Sequence, residues 1–196
     1  MPTDQTVNAT ARKHLDVKWP SVPCSVNVNC NGLTASQKSA VRSAMNTWNR
    51  VKQVDGTSLV TFNVASSNSS TDSSLEINSV PYVKWVGHCE YDEIGGEIIA
   101  VHIELNSNYY LVVGKASNSY DIQSIATHEL GHALGVAHCH EDSSGSEFIS
   151  PLLSNSGECI SPTCSNNAMN PIAIANSTAR RTLQEYDTAS YQYIYY

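Results

Sequence analysis

The sequence predicts an α+β fold. Alternating apolar positions mark several short strands, and capped segments of 3.6-residue period mark helices. They come in the order strand, helix, several strands, helix, irregular stretch, helix. A chain of 196 residues with 41% hydrophobic content can bury one substantial core without cross-links.

Residues 1–17 are polar without period and read as an N-terminal arm. Ser25-Val26-Asn27-Val28-Asn29 alternates at period 2 and reads as a strand. Thr34 opens a helix: it forms a capping box with Gln37, and Val41, Ala44, Met45, Trp48 and Val51 recur at helical spacing. Asp55-Gly56 ends that segment in a turn. Leu59 to Val64 is a second strand, the Ser/Asn/Thr/Asp run 66–74 a loop, and Leu75–Val80 and Tyr82–Val86 extended pieces split by Pro81. Gly95-Gly96 leads into Glu97–Leu105, the strongest strand pattern in the chain. Residues 106–120 read as a loop with an apolar patch at Leu111-Val112-Val113. Asp121 caps a second helix, which runs to about Leu134 and is ended by Gly135. Residues 139–167 carry Gly, Ser, Pro, Asn and three cysteines with no period, a stretch expected to be functional or pinned by cross-links. Thr182 and Glu185 form a second capping box opening the final helix.

With 11 Lys+Arg against 18 Asp+Glu, net charge is -7, and no basic cluster stands out. That argues against nucleic acid and anionic membranes as partners. No apolar run approaches the ~20 residues of a membrane span. Charged residues are only 15% of the chain, with Ser, Asn, Thr and Tyr in their place, a surface chemistry common outside cells. Cys24, Cys30, Cys89, Cys139, Cys159 and Cys164 make an even count, which favours an oxidising compartment and disulfides. An extended Ser25–Asn29 would hold Cys24 and Cys30 ~20 Å apart, beyond bonding reach. Cys159 and Cys164 flank a turn and are the expected pair pinning the 139–167 segment. Met1-Pro2-Thr3-Asp4 lacks the basic-then-apolar start of a leader, so the expected secretion requires that a leader was removed.

The informative segment is His128-Glu129-Leu130-Gly131-His132-Ala133-Leu134-Gly135-Val136-Ala137-His138. Residues four apart on a helix share a face, so His128 and His132 can occupy two corners of a zinc tetrahedron. Gly135 can leave the helix through positive φ and return His138 as a third ligand. Three protein ligands leave a position open, which is the catalytic arrangement. Glu129 is spare as a ligand and suits a general base for water activated by zinc.

His128 to His138 resembles the H-E-x-x-H-x-x-G-x-x-H signature of the metzincin zinc endopeptidases. The resemblance is strongest to matrixins of the compact microbial type. It also rests on Lys18-Trp19-Pro20, Leu33-Thr34, Trp48-Asn49, Gly95-Gly96-Glu97 and Leu183-Gln184-Glu185-Tyr186-Asp187. It implies a twisted, mostly parallel sheet with an antiparallel edge strand, an active-site helix, and an irregular C-terminal lobe with a Met-turn and final helix. Ala168-Met169-Asn170-Pro171 resembles that turn, so Met169 lies beneath the histidines and Asp187 anchors the turn backbone. The strand containing Ile99, Ala100, Val101 and His102 becomes the substrate-binding edge, and Ser124 lines the pocket beyond the scissile bond. Residues 18–196 form one catalytic domain, with an upper lobe about 18–135 and a lower lobe about 136–196. Cys139 departs from the Ser or Thr usual after the third histidine, residues 139–167 look like an insertion, and no Tyr stands two residues after Met169.

The expectation is a secreted zinc-dependent endopeptidase holding one catalytic Zn2+, monomeric, with protein or peptide substrates. Zinc amidase activity on a non-protein amide, or a zinc-holding binding module without activity, are the alternatives; Glu129 weighs against the latter. His88, His102 and His140 lack the spacing of a second zinc site, and Asp92, Glu93 and Glu104 show no calcium-binding repeat.

Overall fold

The structure is a computed structural model and describes residues 15–65, 74–81, 84–139, 166–171 and 173–195. Strand β1 (Cys24–Asn29) buries Val26 and Val28 on one face. Helix α1 (Ala35–Asn49) follows at once. Its N-cap Thr34 accepts from Gln37 N at 3.4 Å while Thr34 N donates to Gln37 Oε1 at 2.8 Å. Ala40, Val41, Ala44, Met45 and Trp48 form its buried stripe. Strands β2 (Val60–Val64), β3 (Leu75–Val80), β4 (Gly87–Ile94) and β5 (Glu97–Asn106) complete a five-stranded sheet of order β2-β1-β3-β5-β4. All neighbours are parallel except β4 and β5, which form an antiparallel hairpin through Gly95-Gly96. This is the mixed, mostly parallel sheet expected of a metzincin fold.

The hairpin corrects the expectation about the edge. Ile99, Ala100, Val101 and His102 do not lie on a free edge. β5 pairs with β4 on one side, and with β3 and Lys18 on the other. Among the described residues the edge strand is β4, whose polar sequence gives no strong strand signal. A bulge at Asp92/Glu93 leaves Ile99 unmatched on β5, so the pattern shifts phase: Ile98 and Val101 are both buried while Ile99 is half exposed. Gly95-Gly96 is therefore the tip of the hairpin rather than the lead-in to an edge.

Two short strands, β6 (Leu111–Val112) and β7 (Tyr120–Asp121), pair in parallel and deliver the chain to helix α2 (Ile122–His132). N-cap Asp121 is buried, and both oxygens are occupied. They accept from Gly114 N at 2.7 Å, Ser124 N at 2.9 Å, Ser124 Oγ at 2.7 Å, and the Arg181 guanidinium at 2.6 and 2.9 Å. Helix α2 packs between α1 and the sheet, and Trp48 Nε1 donates to Thr127 O at 2.8 Å. A 3-10 turn at Ala179–Arg181 precedes helix α3 (Glu185–Ile194). That helix begins later than the Thr182–Glu185 pattern suggests. Thr182 closes the 3-10 turn in extended backbone, and the capping box is Gln184 with Asp187. The segment from Leu15 to Trp19 packs against the far end of α2, with Leu15 N donating to Gly135 O at 2.8 Å and Trp19 Nε1 to Ala133 O at 2.9 Å.

Cys24, Cys30 and Cys89 are thiols, so no disulfide joins these three. Cys24 and Cys30 bracket an extended strand, which keeps them apart. Cys159, Cys164, His140 and most of the 139–167 segment lie outside the described residues. Among the described residues, no helix is long and apolar enough to cross a membrane.

Burial alone would raise the Asp121 carboxyl, but Arg181, Gly114 and Ser124 outweigh it and hold it below its ordinary 3.8. A depressed carboxylate stabilises the fold above its unfolded value and loses that contribution as pH falls through its folded value. Asp121→Asn should therefore cost about 1–3 kcal/mol at pH 7. The deficit should shrink below about pH 4. Denaturant melts at both pH values check this; an unchanged deficit would contradict it.

Candidate metal centre

Helix α2 sets His128 and His132 one turn apart on one face. Gly135, at φ +83°, ends the helix: Val136 N donates to Gly131 O at 3.0 Å and Gly135 N to His132 O at 2.8 Å. The reversed chain brings His138 back. The three Nε2 atoms form a nearly equilateral triangle, with separations of 3.0 Å for 128–132 and 3.1 Å for both 128–138 and 132–138. All three rings are buried.

The donor chemistry fits a cation. His128 Nδ1 faces Ala168 O at 2.7 Å and His132 Nδ1 faces Val136 O at 2.9 Å. A carbonyl only accepts, so each Nδ1 carries the hydrogen and each of these Nε2 atoms presents a lone pair inward. Burial pushes His128 well below its ordinary range and His132 down to about 4, so these rings are neutral at physiological pH. Nitrogens 3.0–3.1 Å apart can share one ion at ordinary Zn–N lengths of ~2.0–2.1 Å. They form the one such ligand cluster among the described residues.

Below the triangle lies the turn 167–170. Asp187, itself fully buried, accepts from Ala168 N at 2.9 Å and Met169 N at 3.1 Å, and from Gln184 N at 2.8 Å. The same carboxylate thus caps α3 and fixes the turn whose Ala168 carbonyl orients His128. Burial pushes the Asp187 carboxyl up, against these three backbone donors and nearby Arg180. Met169 is fully buried beneath the helix, and Met169 O accepts from Cys139 N at 2.9 Å, tying the turn to the residue after His138. Tyr186 Oη donates to His138 O at 3.1 Å.

Glu129 is fully buried, and neither oxygen has a hydrogen-bond partner among the described residues. Burial pushes its carboxyl well above the ordinary range, opposed by the charge of Arg180. A dication bound at the triangle would pull it back down. Its carboxylate lies against β4: a Cβ on Gly87 would be 2.5 Å from Glu129 Oε1 and 2.6 Å from Ile125 Cγ2. Sequence reasoning missed Gly87 because a glycine opening a polar strand carries no signal of what lies across from it.

The Matrixin family model matches residues 22–154. The chain belongs to the matrixin family. No curated protein matches its sequence. Among solved structures, myroilysin aligns at TM-score 0.52 and 14% identity over 91% of this chain and 82% of that one. A second myroilysin structure aligns at 0.51 and 12% over 98% and 97%. These likenesses concern the fold. A hatching enzyme zinc-protease of Oryzias latipes (Medaka fish) aligns at TM-score 0.44 and 13% identity over 87% and 88%. This matrixin is a zinc metalloendopeptidase, with a His128, His132, His138 centre of the kind that hydrolyses peptide bonds.

Gly131, inside the zinc signature, makes the stack beneath the metal site possible. A Cβ there would overlap Met169 Sδ and lie 2.9 Å from Trp48 Cζ2. Helix propensity alone favours Gly131→Ala by about 1 kcal/mol, but overpacking costs about 1–3 kcal/mol. Gly131→Ala should therefore lower the thermal midpoint, and adding Met169→Ala should recover part of the loss non-additively. A Gly131→Ala protein more stable than the parent would contradict this packing.

Proposed function

We propose that this matrixin is a secreted, monomeric endopeptidase that binds protein segments in extended form along the outer side of β4 and uses Glu129 as its proton shuttle. The observation that carries the reading is a buried carboxylate without a bonding partner beside three converging imidazoles. His128, His132 and His138 would hold the zinc, which would supply Lewis acidity for acidifying water and polarising a peptide carbonyl. Glu129 takes a proton at a carboxylate oxygen from the attacking water and delivers it to the departing amine nitrogen, ending as it began. Asp187 and Met169 hold His128 in place from below and touch no substrate.

β4 is the outermost strand of the described sheet, which supports the substrate path, and Gly87 at its start lies against the Glu129 carboxylate. A strand laid there runs past Glu129 toward the histidines. Secretion is supported by the low charge fraction and the Ser, Asn, Thr and Tyr content.

Glu129→Gln should keep one zinc per chain and an unchanged fold, while peptide hydrolysis falls by about 10²–10⁴-fold or more. Metal analysis and a quenched-peptide assay at matched zinc occupancy check this together. Hydrolysis near the parent rate would contradict the assigned role. Chelation should abolish activity of the parent, and added zinc should restore it.

A further inference from the structure

An open groove of about 680 Å³ runs between α1, the start of α2 and the chain that leads from the 3-10 turn into α3. Its volume falls within the ~300–1,000 Å³ of ordinary ligand sites. Gln123 marks the α2 wall. At 3.6 residues per turn, Gln123 lies about 140° from His128 and about 180° from His132 around the helix. The groove and the metal centre therefore open on opposite sides of α2. The groove is held in shape by its own walls: Thr47 Oγ1 donates to Arg181 O at 3.2 Å, and Gln192 Nε2 donates to Lys52 O at 2.5 Å.

Its charge opposes that of the chain. Arg50, Lys52 and Arg181 line it, and none of the described Asp or Glu side chains does, although the chain carries 18 Asp+Glu against 11 Lys+Arg. Arg181 is neutralised by its two bonds to Asp121. Arg50 and Lys52 are exposed and are not. The Arg50 guanidinium has no partner among the described residues, and the Lys52 ammonium donates to the neutral Ser58 hydroxyl at 2.7 Å. The C-terminal end of α1 offers roughly half a negative charge, too little to offset two cations. The side-chain amides of Asn46 and Gln123 also line the groove without partners among the described residues, and each can both donate to and accept from a peptide backbone. From Ser43 to Arg50 the α1 wall runs ~10 Å, the length of about three residues of extended chain. No aromatic side chain among the described residues lines the groove, so it lacks the platform on which nucleic acid bases stack.

We propose that this groove is an exosite, which binds an acidic, extended segment of a protein substrate at a distance from the bond cut in the zinc cleft. The inference rests on the zinc endopeptidase reading for what the bound segment belongs to, while binding to the groove is measurable without cleavage. Arg50 and Lys52 meet the carboxylates, and Asn46 and Gln123 meet the backbone. Holding one part of the substrate raises the effective concentration of the rest at the cleft.

The test has two arms. In the first, zinc-loaded Glu129→Gln protein is titrated with a labelled Glu-rich peptide and with its Gln counterpart, read by fluorescence anisotropy. The Glu peptide should bind on the order of 10-fold tighter, and the margin should shrink as salt is added. Adding Arg50→Gln with Lys52→Gln should remove the preference while zinc content stays the same. In the second arm, parent enzyme cleaves a neutral peptide joined to the Glu-rich segment by a Gly/Ser linker of about 20 residues, which reaches ~25 Å around α2. Its kcat/KM should exceed that of the Gln-tailed peptide on the order of 10-fold, through KM. In Arg50→Gln with Lys52→Gln the two tailed peptides should become equal, and the untailed peptide should be cut at the parent's rate. Equal binding of the Glu and Gln peptides, or a Glu preference that survives the double substitution, would overturn the inference and leave the peptidase reading standing. An oligogalacturonate of matched charge that binds as tightly as the Glu peptide would overturn it too, since the groove would then be a site for acidic polysaccharide. If the double variant does not fold, Arg50→Gln and Lys52→Gln singly should each lose part of the preference, and two singles that keep all of it would overturn the inference. Glu-selective binding lost in the double variant, with no cleavage of any peptide, would support the groove and count against the peptidase reading.

Discussion

Three imidazole nitrogens within 3.1 Å of one another, two of them fixed as inward lone pairs by their Nδ1 contacts, are a repulsive arrangement until a cation sits among them. The surrounding fold exists to hold that arrangement. Helix α2 supplies the i, i+4 pair, Asp121 fixes where the helix starts, and the Gly135 exit returns His138. The Val136 and Ala168 carbonyls set two of the rings. Asp187 in turn sets Ala168, so a carboxylate from the last helix reaches the metal through one turn of backbone. Val17 O leaves no room for a Cβ at Gly135, so the N-terminal segment also supports the exit.

The packing beneath the centre follows from the same demand. Met169 can lie under α2 because position 131 has no side chain, and Trp48 closes the floor while donating to Thr127 O. Tyr191 meets Trp48 edge-on at 5.5 Å, and its hydroxyl accepts from Val60 N at 2.8 Å, joining α3 to the sheet. Burial pushes that phenol well above its ordinary range, so it stays a neutral partner. Helices α1, α2 and α3 are therefore locked together at the point where His128 must not move.

What could be read in the sequence, and what could not, divides on physical lines. The metal-ligand spacing was legible because helix geometry fixes i, i+4 neighbours and only a residue tolerant of positive φ suits the exit. The start of α1 was legible because a capping box is a local interaction. The edge of the sheet was not. The most apolar strand, β5, lies inside the sheet with partners on both sides, whereas β4 turns Glu90, Asp92 and Glu93 to solvent and so carries no strand signal. The final capping box was misplaced because Thr182 and Gln184 both precede an acidic residue, and only the preceding 3-10 turn decides between them. Arg180 and Arg181 are adjacent and identical in sequence. One is buried without an acceptor, the other makes a bidentate pair with Asp121, and nothing local tells them apart.

The central claim is that His128, His132 and His138 together hold one zinc with a position left open. X-ray absorption at the zinc edge of the purified protein tests it most directly. Three nitrogen scatterers at ~2.0–2.1 Å with one further oxygen, and no sulfur near ~2.3 Å, is the expected signature. Loss of one nitrogen should follow in His138→Ala. A spectrum with sulfur coordination, or one unchanged by His138→Ala, would contradict the account.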